Sequence, residues 1–179
     1  MIWRQLVKAS VLLAGIGVVA PAMGQSPSVQ PAGMMPADYN FVMQAALGGL
    51  GEITAGQVAQ QRSTDTAVQN IGAMLVADHT RANQELAALA SARGIAVATT
   101  PDPGRQGVVA ILQQMSGPAF AKAFVDQQLA EHQVAIALFQ SEAASSMDPE
   151  LRAFAQRQLP VLQRHLESIS SMANVVSAR

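Results

Sequence analysis

The sequence predicts an all-α fold, an antiparallel bundle of four long helices, and three observations lead there. Apolar residues recur at intervals of three and four, as in Val68, Ile71, Leu75, Leu86 and Leu89, and not at the two-residue alternation of strands. Gly94, the Pro101-Asp102-Pro103-Gly104 run, Gly117-Pro118 and Asp148-Pro149 fall between the periodic stretches, where they punctuate helices. The composition, 50% apolar and 13% charged over 179 residues, is that of one ordered globular domain.

The first 24 residues differ in kind from the rest. Arg4 and Lys8 make a basic start, Ala9 to Ala20 is an uncharged and largely apolar run, and Pro21 breaks it. Ala22-Met23-Gly24 then offers the small residues a signal peptidase accepts, so residues 1–24 are expected to be a secretory signal cleaved near Gly24. A membrane anchor would need about 20 apolar residues, more than this run has. No transmembrane span is therefore expected after cleavage, and the periplasm or outer envelope is the expected location. Residues 25–36, with three prolines and little periodicity, are expected to be a flexible tether to a bundle over 37–177.

Asp38 is the expected N-cap of a first helix running to Arg62. Ser63 or Thr64 is expected to cap a second, which continues to Arg93 before Gly94 supplies the left-handed stop. A loop then leads to a short helix over Val108–Met115, and a third long helix runs from about Pro118 to Ser145. Asp148 as N-cap, with Pro149 behind it and Glu150 in the first turn, opens the fourth. The short links between the first and second helices and between the third and fourth force antiparallel hairpins. Two hairpins joined by a long middle connection is the connectivity of ferritin-like bundles, with a plain up-down-up-down bundle as the alternative.

Removing Arg4 and Lys8 leaves nine basic residues against twelve acidic ones, a net charge of −3 without a basic stripe. That argues against nucleic-acid binding. The absence of cysteine excludes disulfides, thiolate metal sites and a cysteine nucleophile. An envelope partner or self-association is left open.

The informative residues are those that break the apolar pattern. At about 100° per residue, His79, His132 and His165 each fall inside the apolar arc of a different helix. On the first helix, Glu52 lies at the centre of a face made by Phe41, Ala45, Gly48, Ala55 and Ala59. Two readings follow. Glu52, His79, His132 and His165 could bind zinc, iron or copper, which imidazole and carboxylate donors suit. Alternatively they form a buried polar network that fixes helix register and needs no cofactor. Asp78 and Glu131 point about 100° away from the neighbouring histidines and are expected to be solvated. Counting back along the first hairpin leaves Glu52 and His79 offset by about 7 Å, looser than a coordination signature. Glu-x-x-His, the di-iron ligand motif, is absent from the histidine-bearing helices, as are phosphate loops and Gly-x-Ser-x-Gly. The methionines are scattered and read as gap-fillers. Pro160, inside the fourth helix, removes one backbone hydrogen bond.

Several segments together resemble the bacterial domain of unknown function 4142. They are Asp38-x-x-Phe41, Gly51-Glu52-Ile53, the run Met74-Leu75-Val76-Ala77-Asp78-His79, Glu85-Leu86, Phe120 to His132, and Leu159-Pro160 followed by His165-Leu166. The order covers about residues 38–175. The resemblance implies a ferritin-like fold and an exported protein, often described as a membrane or outer-membrane protein, with Glu52, His79, His132 and His165 at motif positions. It supplies no cofactor. The family's Phe-Asp-x-x-Tyr is Phe120-Ala121-Lys122-Ala123-Phe124 here, so its aspartate and tyrosine are missing. The sequence favours a non-catalytic exported envelope protein with a stress-related role. A periplasmic metal-binding protein is the alternative, and a redox enzyme comes third.

Overall fold

The computed structural model describes residues 30–178, so the expected signal segment and the first part of the tether lie outside the described residues. Five α-helices account for the fold: α1 (Pro36–Arg62), α2 (Thr66–Ala92), α3 (Pro103–Gln114), α4 (Gly117–Ser145) and α5 (Pro149–Ser177). No strand occurs among the described residues.

The four long helices match the expected ones, and their starts differ where proline or a second cap intervenes. Pro36 presets the helical φ and has no N–H to orphan, so α1 begins at Pro36 with Met35 as N-cap. Asp38 is thus not the cap; it lies within the first turn, buried. Asp65, not Ser63 or Thr64, caps α2 and accepts from the Ala67 N–H, while the Ser63 hydroxyl accepts from the Asp65 N–H. The short helix also starts earlier than expected. Asp102 accepts from the Arg105 N–H and Pro103 opens α3, converting the last third of the expected loop into helix. Gly94 takes its left-handed φ of 71°, and Asp148 accepts from the N–H groups of Glu150 and Leu151. Of the expected tether, Pro31 to Met34 form a turn closed by the Met34 N–H on the Pro31 carbonyl, and the Gln30 amide donates to the Met34 carbonyl.

Each helix buries one face. At one end of the bundle, Val58 and Ala59 of α1, Val68 and Leu75 of α2, Phe120 and Phe124 of α4, and Ile169 of α5 share a core. At the other end Phe41, Leu86, Phe139 and Phe154 form a second core, with Phe41 edge-on to Phe139 at 5.0 Å. The start of α1 thus meets the ends of α2 and α4 and the start of α5. α1 packs beside α2 and α4, and α5 beside α4 and α2, so neighbours are antiparallel and α1–α5 and α2–α4 lie on the diagonals. The segment from Arg93 to Ser116 returns the chain to the opposite end, and its α3 packs on α1 and α4. The buried Glu52, His79, His132 and His165 lie between the two cores. No helix among the described residues is long and apolar enough to cross a membrane.

Candidate metal centre

Glycine brings α1 and α2 together. A Cβ at Gly56 would lie 2.7 Å from the Gly72 carbonyl oxygen, and one at Gly72 would lie 2.6 Å from that of Gly56. This contact sets Glu52 level with about residue 76 of α2, only three residues short of His79. Side chains lean toward the N-terminus of their own helix, so on antiparallel neighbours Glu52 and His79 lean toward each other. His79 Nε2 therefore lies 3.0 Å from Glu52 Oε2, and the offset of about 7 Å expected from loop counting is corrected.

The four inward residues meet in one layer and are all buried. The rings of His79, His132 and His165 sit pairwise 5.3–5.6 Å apart between centroids. One nitrogen from each imidazole lies within 4.8 Å of the other two. Glu52 stands to one side of this triangle, its Oε1 3.2 Å from His132 Nδ1. Glu52 Oε1 and His79 Nε2 are both buried without a well-aligned hydrogen bond among the described residues. Their short distances to neighbours are therefore proximity rather than satisfied pairing.

The outer contacts fix which nitrogens carry protons. His132 Nδ1 is 3.0 Å from the Gln128 carbonyl oxygen one turn earlier on α4. A carbonyl oxygen only accepts, so Nδ1 donates and His132 Nε2 holds a lone pair. His165 Nε2 is 3.0 Å from Asp78 Oδ2, a carboxylate that also accepts, so His165 Nδ1 holds a lone pair. These two lone-pair nitrogens face each other at 3.3 Å. In those forms the pair has no proton to share. Two nitrogen ligands on a tetrahedral ion, with bonds of about 2.0–2.1 Å, stand about this far apart.

Asp78, which its angle on α2 predicts to be solvated, belongs to the site. Its 100° turn away from His79 brings it to α5, the second neighbour of α2, where the half-buried carboxylate meets both His165 and, through Oδ1, the exposed Arg81. Glu131 is likewise turned toward α3, where its Oε2 lies 3.6 Å from Arg105 Nη2. The aspartate-before-histidine pair was the available signal, but periodicity alone cannot say which helix stands on either side.

Burial sets the charge states. His79 is held well below the usual imidazole range by desolvation, and the charges of His132 and His165 act the same way. Desolvation, aided by the charge of His165, brings His132 down to about 4. His165 is also lowered by burial, against the opposing contact from Asp78. The imidazoles are thus neutral near pH 7, the form that binds metals. Burial, reinforced by the Glu131 charge and opposed by Arg105, pushes Glu52 up to about 8.

The profile of the domain of unknown function DUF4142 matches residues 23–172, and the chain belongs to that family. Among solved structures, the crystal structure of a DUF305 fragment from Deinococcus radiodurans is similar, with a TM-score of 0.69. The alignment covers 82% of this chain and 99% of that one at 14% identity, a likeness of fold alone. No curated protein matches the chain.

Proposed function

We propose that this chain is an exported metal-binding protein of the cell envelope, a ferritin-like bundle in which His79, His132 and His165 hold one transition-metal ion beside Glu52. The observation that carries this reading is the facing pair, His132 Nε2 and His165 Nδ1 at 3.3 Å, each with its other nitrogen committed to an outer acceptor. Metal-bound histidines usually donate their second N–H to a carbonyl or carboxylate in this manner, which orients the ring and raises its basicity. Three neutral imidazoles suit zinc, copper or iron. The competing reading, a register-fixing polar network without metal, needs a proton between those two rings. In neutral imidazoles the bonds to Gln128 and Asp78 take up both N–H groups, which favours the metal reading over that network.

The ferritin-like assignment rests on the two antiparallel hairpins and the connection that spans the bundle between them. Export rests on the basic, apolar and small-residue pattern of residues 1–24, and mature protein is expected to begin at Gln25. Elemental analysis after native purification from an envelope fraction tests the central reading. One zinc, copper or iron per chain is the expected result, lost in His132→Ala and His165→Ala. Stoichiometry below about a tenth in the native protein, with no thermal stabilisation on adding any of the three, would falsify it.

A further inference from the structure

We propose that the ion keeps an exchangeable coordination position, and that a small uncharged ligand reaches it through a cavity whose mouth Gly48 holds open. This rests on the metal-centre reading. A cavity of about 70 Å³ is lined at its inner end by the buried His79 and His165 and at its outer end by exposed Gln44 and Val134, so it joins the imidazole triangle to the surface. Three protein nitrogens leave at least one position on a tetrahedral ion, the arrangement that separates open metal sites from closed structural ones. Glu52 is not among the mutually close ligand atoms and sits against His79 and His132 instead.

The walls define the ligand. Ala45, Leu86, Phe139, Phe154 and Leu162 make the inner part largely apolar. The one cation at the mouth, Arg105, is already paired with Asp102 at 2.6 Å and Glu131 at 3.6 Å, and Asp78 adds a further acid. Anions are therefore not drawn in. An apolar cavity of about 150 Å³ accepts benzene, so this one suits a molecule of about two to four heavy atoms. Dioxygen, nitric oxide and hydrogen peroxide belong to that class.

Gly48 differs from the glycines beside it. A Cβ at Gly49 would strike the Asn83 amide at 2.2 Å, and one at Gly51 would lie 2.6 Å from Arg105 Cδ. At Gly48 the nearest atom is Arg105 Nη2, at 4.0 Å. A larger side chain there grows into the mouth of the cavity without meeting backbone.

The test uses nitric oxide on full-length mature protein loaded anaerobically with ferrous iron, read by the EPR signal of a high-spin iron–nitrosyl. Wild type is expected to give that signal. Gly48→Leu, and Val134→Trp from the facing wall on α4, are expected to load iron to the same level, keep the helical circular dichroism of wild type, and lose the nitrosyl signal. Iron-loaded wild type that forms no nitrosyl overturns the exchangeable position while leaving the metal centre standing. Equal signals in wild type and both folded variants overturn the route past Gly48. If wild type binds neither iron, zinc nor copper, the failure belongs to the metal-centre reading itself.

Discussion

Asp78 shows how much one contact decides at the scale of the residue. Its carboxylate takes the N–H of His165 Nε2 and so turns the lone pair of Nδ1 inward. Asp78→Asn replaces a charged acceptor with an amide that can present either end to the ring, and Asp78→Ala leaves the N–H without its partner. Both are expected to weaken zinc binding by about 10–100-fold, the usual effect of removing a partner behind a metal-bound histidine. Competition against a chromophoric chelator measures it. Unchanged affinity in both variants would show that Asp78 does not orient the ring. Glu142 lies far from the triangle, buried near the start of α1. Desolvation pushes it up to about 7, with the Asp38 and Asp148 charges adding to the shift and the Ser146 hydroxyl opposing it. Arg93 is taken up by Asp148 and Glu150. The folded chain therefore holds a proton on Glu142 between the ordinary carboxyl value of 4.5 and about 7, while the unfolded chain has released it. Stability from this group is full below that window, falls as pH rises through it, and is level above it. Glu142→Gln is expected to raise the melting temperature relative to wild type at pH 8, with the gain gone by pH 4. Parallel melting curves over that range check the sign.

At the scale of the element, the glycines of the first hairpin act against helix propensity. Glycine inside a helix is destabilising by roughly 0.5–1 kcal/mol relative to alanine, so an exposed Gly→Ala change stabilises. Gly56 and Gly72 reverse that sign, because an added methyl would lie 2.7 or 2.6 Å from the carbonyl oxygen of the facing helix. Gly56→Ala is expected to destabilise by about 1–3 kcal/mol, as overpacking does. Pushing α1 from α2 would also separate Glu52 from His79. Urea unfolding gives the first quantity, and a neutral or stabilising result would mean that the helices adjust without strain. The second hairpin is set differently. The Asp148 carboxylate caps α5 and pairs with Arg93 at the end of α2 at 2.6 Å, so one side chain starts a helix and joins the two hairpins.

At the scale of the molecule, two apolar cores hold the ends of the bundle and the ionisable layer lies between them. An ion bound by residues of α2, α4 and α5, as proposed, would tie together helices from both hairpins and stabilise the folded chain as a whole. Zinc at about 1,000 times its dissociation constant adds about 4 kcal/mol. For a chain of this size that raises the melting temperature by roughly 8–16 °C. No rise would mean that the imidazoles do not share an ion. Much of this arrangement was legible beforehand: the phases of His79, His132 and His165 depended only on 3.6-residue periodicity and on apolar neighbours. Asp78 was not legible, because periodicity gives an angle around α2 but not the identity of the helix at that angle. The closeness of Glu52 and His79 was hidden for a related reason. Loop counting locates the turn, whereas the contact of Gly56 with Gly72 sets the level. The start of α3 carries Asp102-Pro103, the same cap-then-proline pair as Asp148-Pro149, but inside a run of prolines and glycine that reads as a loop.

The shared ion is tested most directly by nitrogen-15 NMR of the imidazoles in zinc-loaded protein, with tautomers read from long-range proton–nitrogen correlations. The account predicts zinc on Nε2 of His132 and on Nδ1 of His165, with protons on His132 Nδ1 and His165 Nε2. Imidazole shifts that do not move when zinc is added, or a proton found between the two rings, would contradict it.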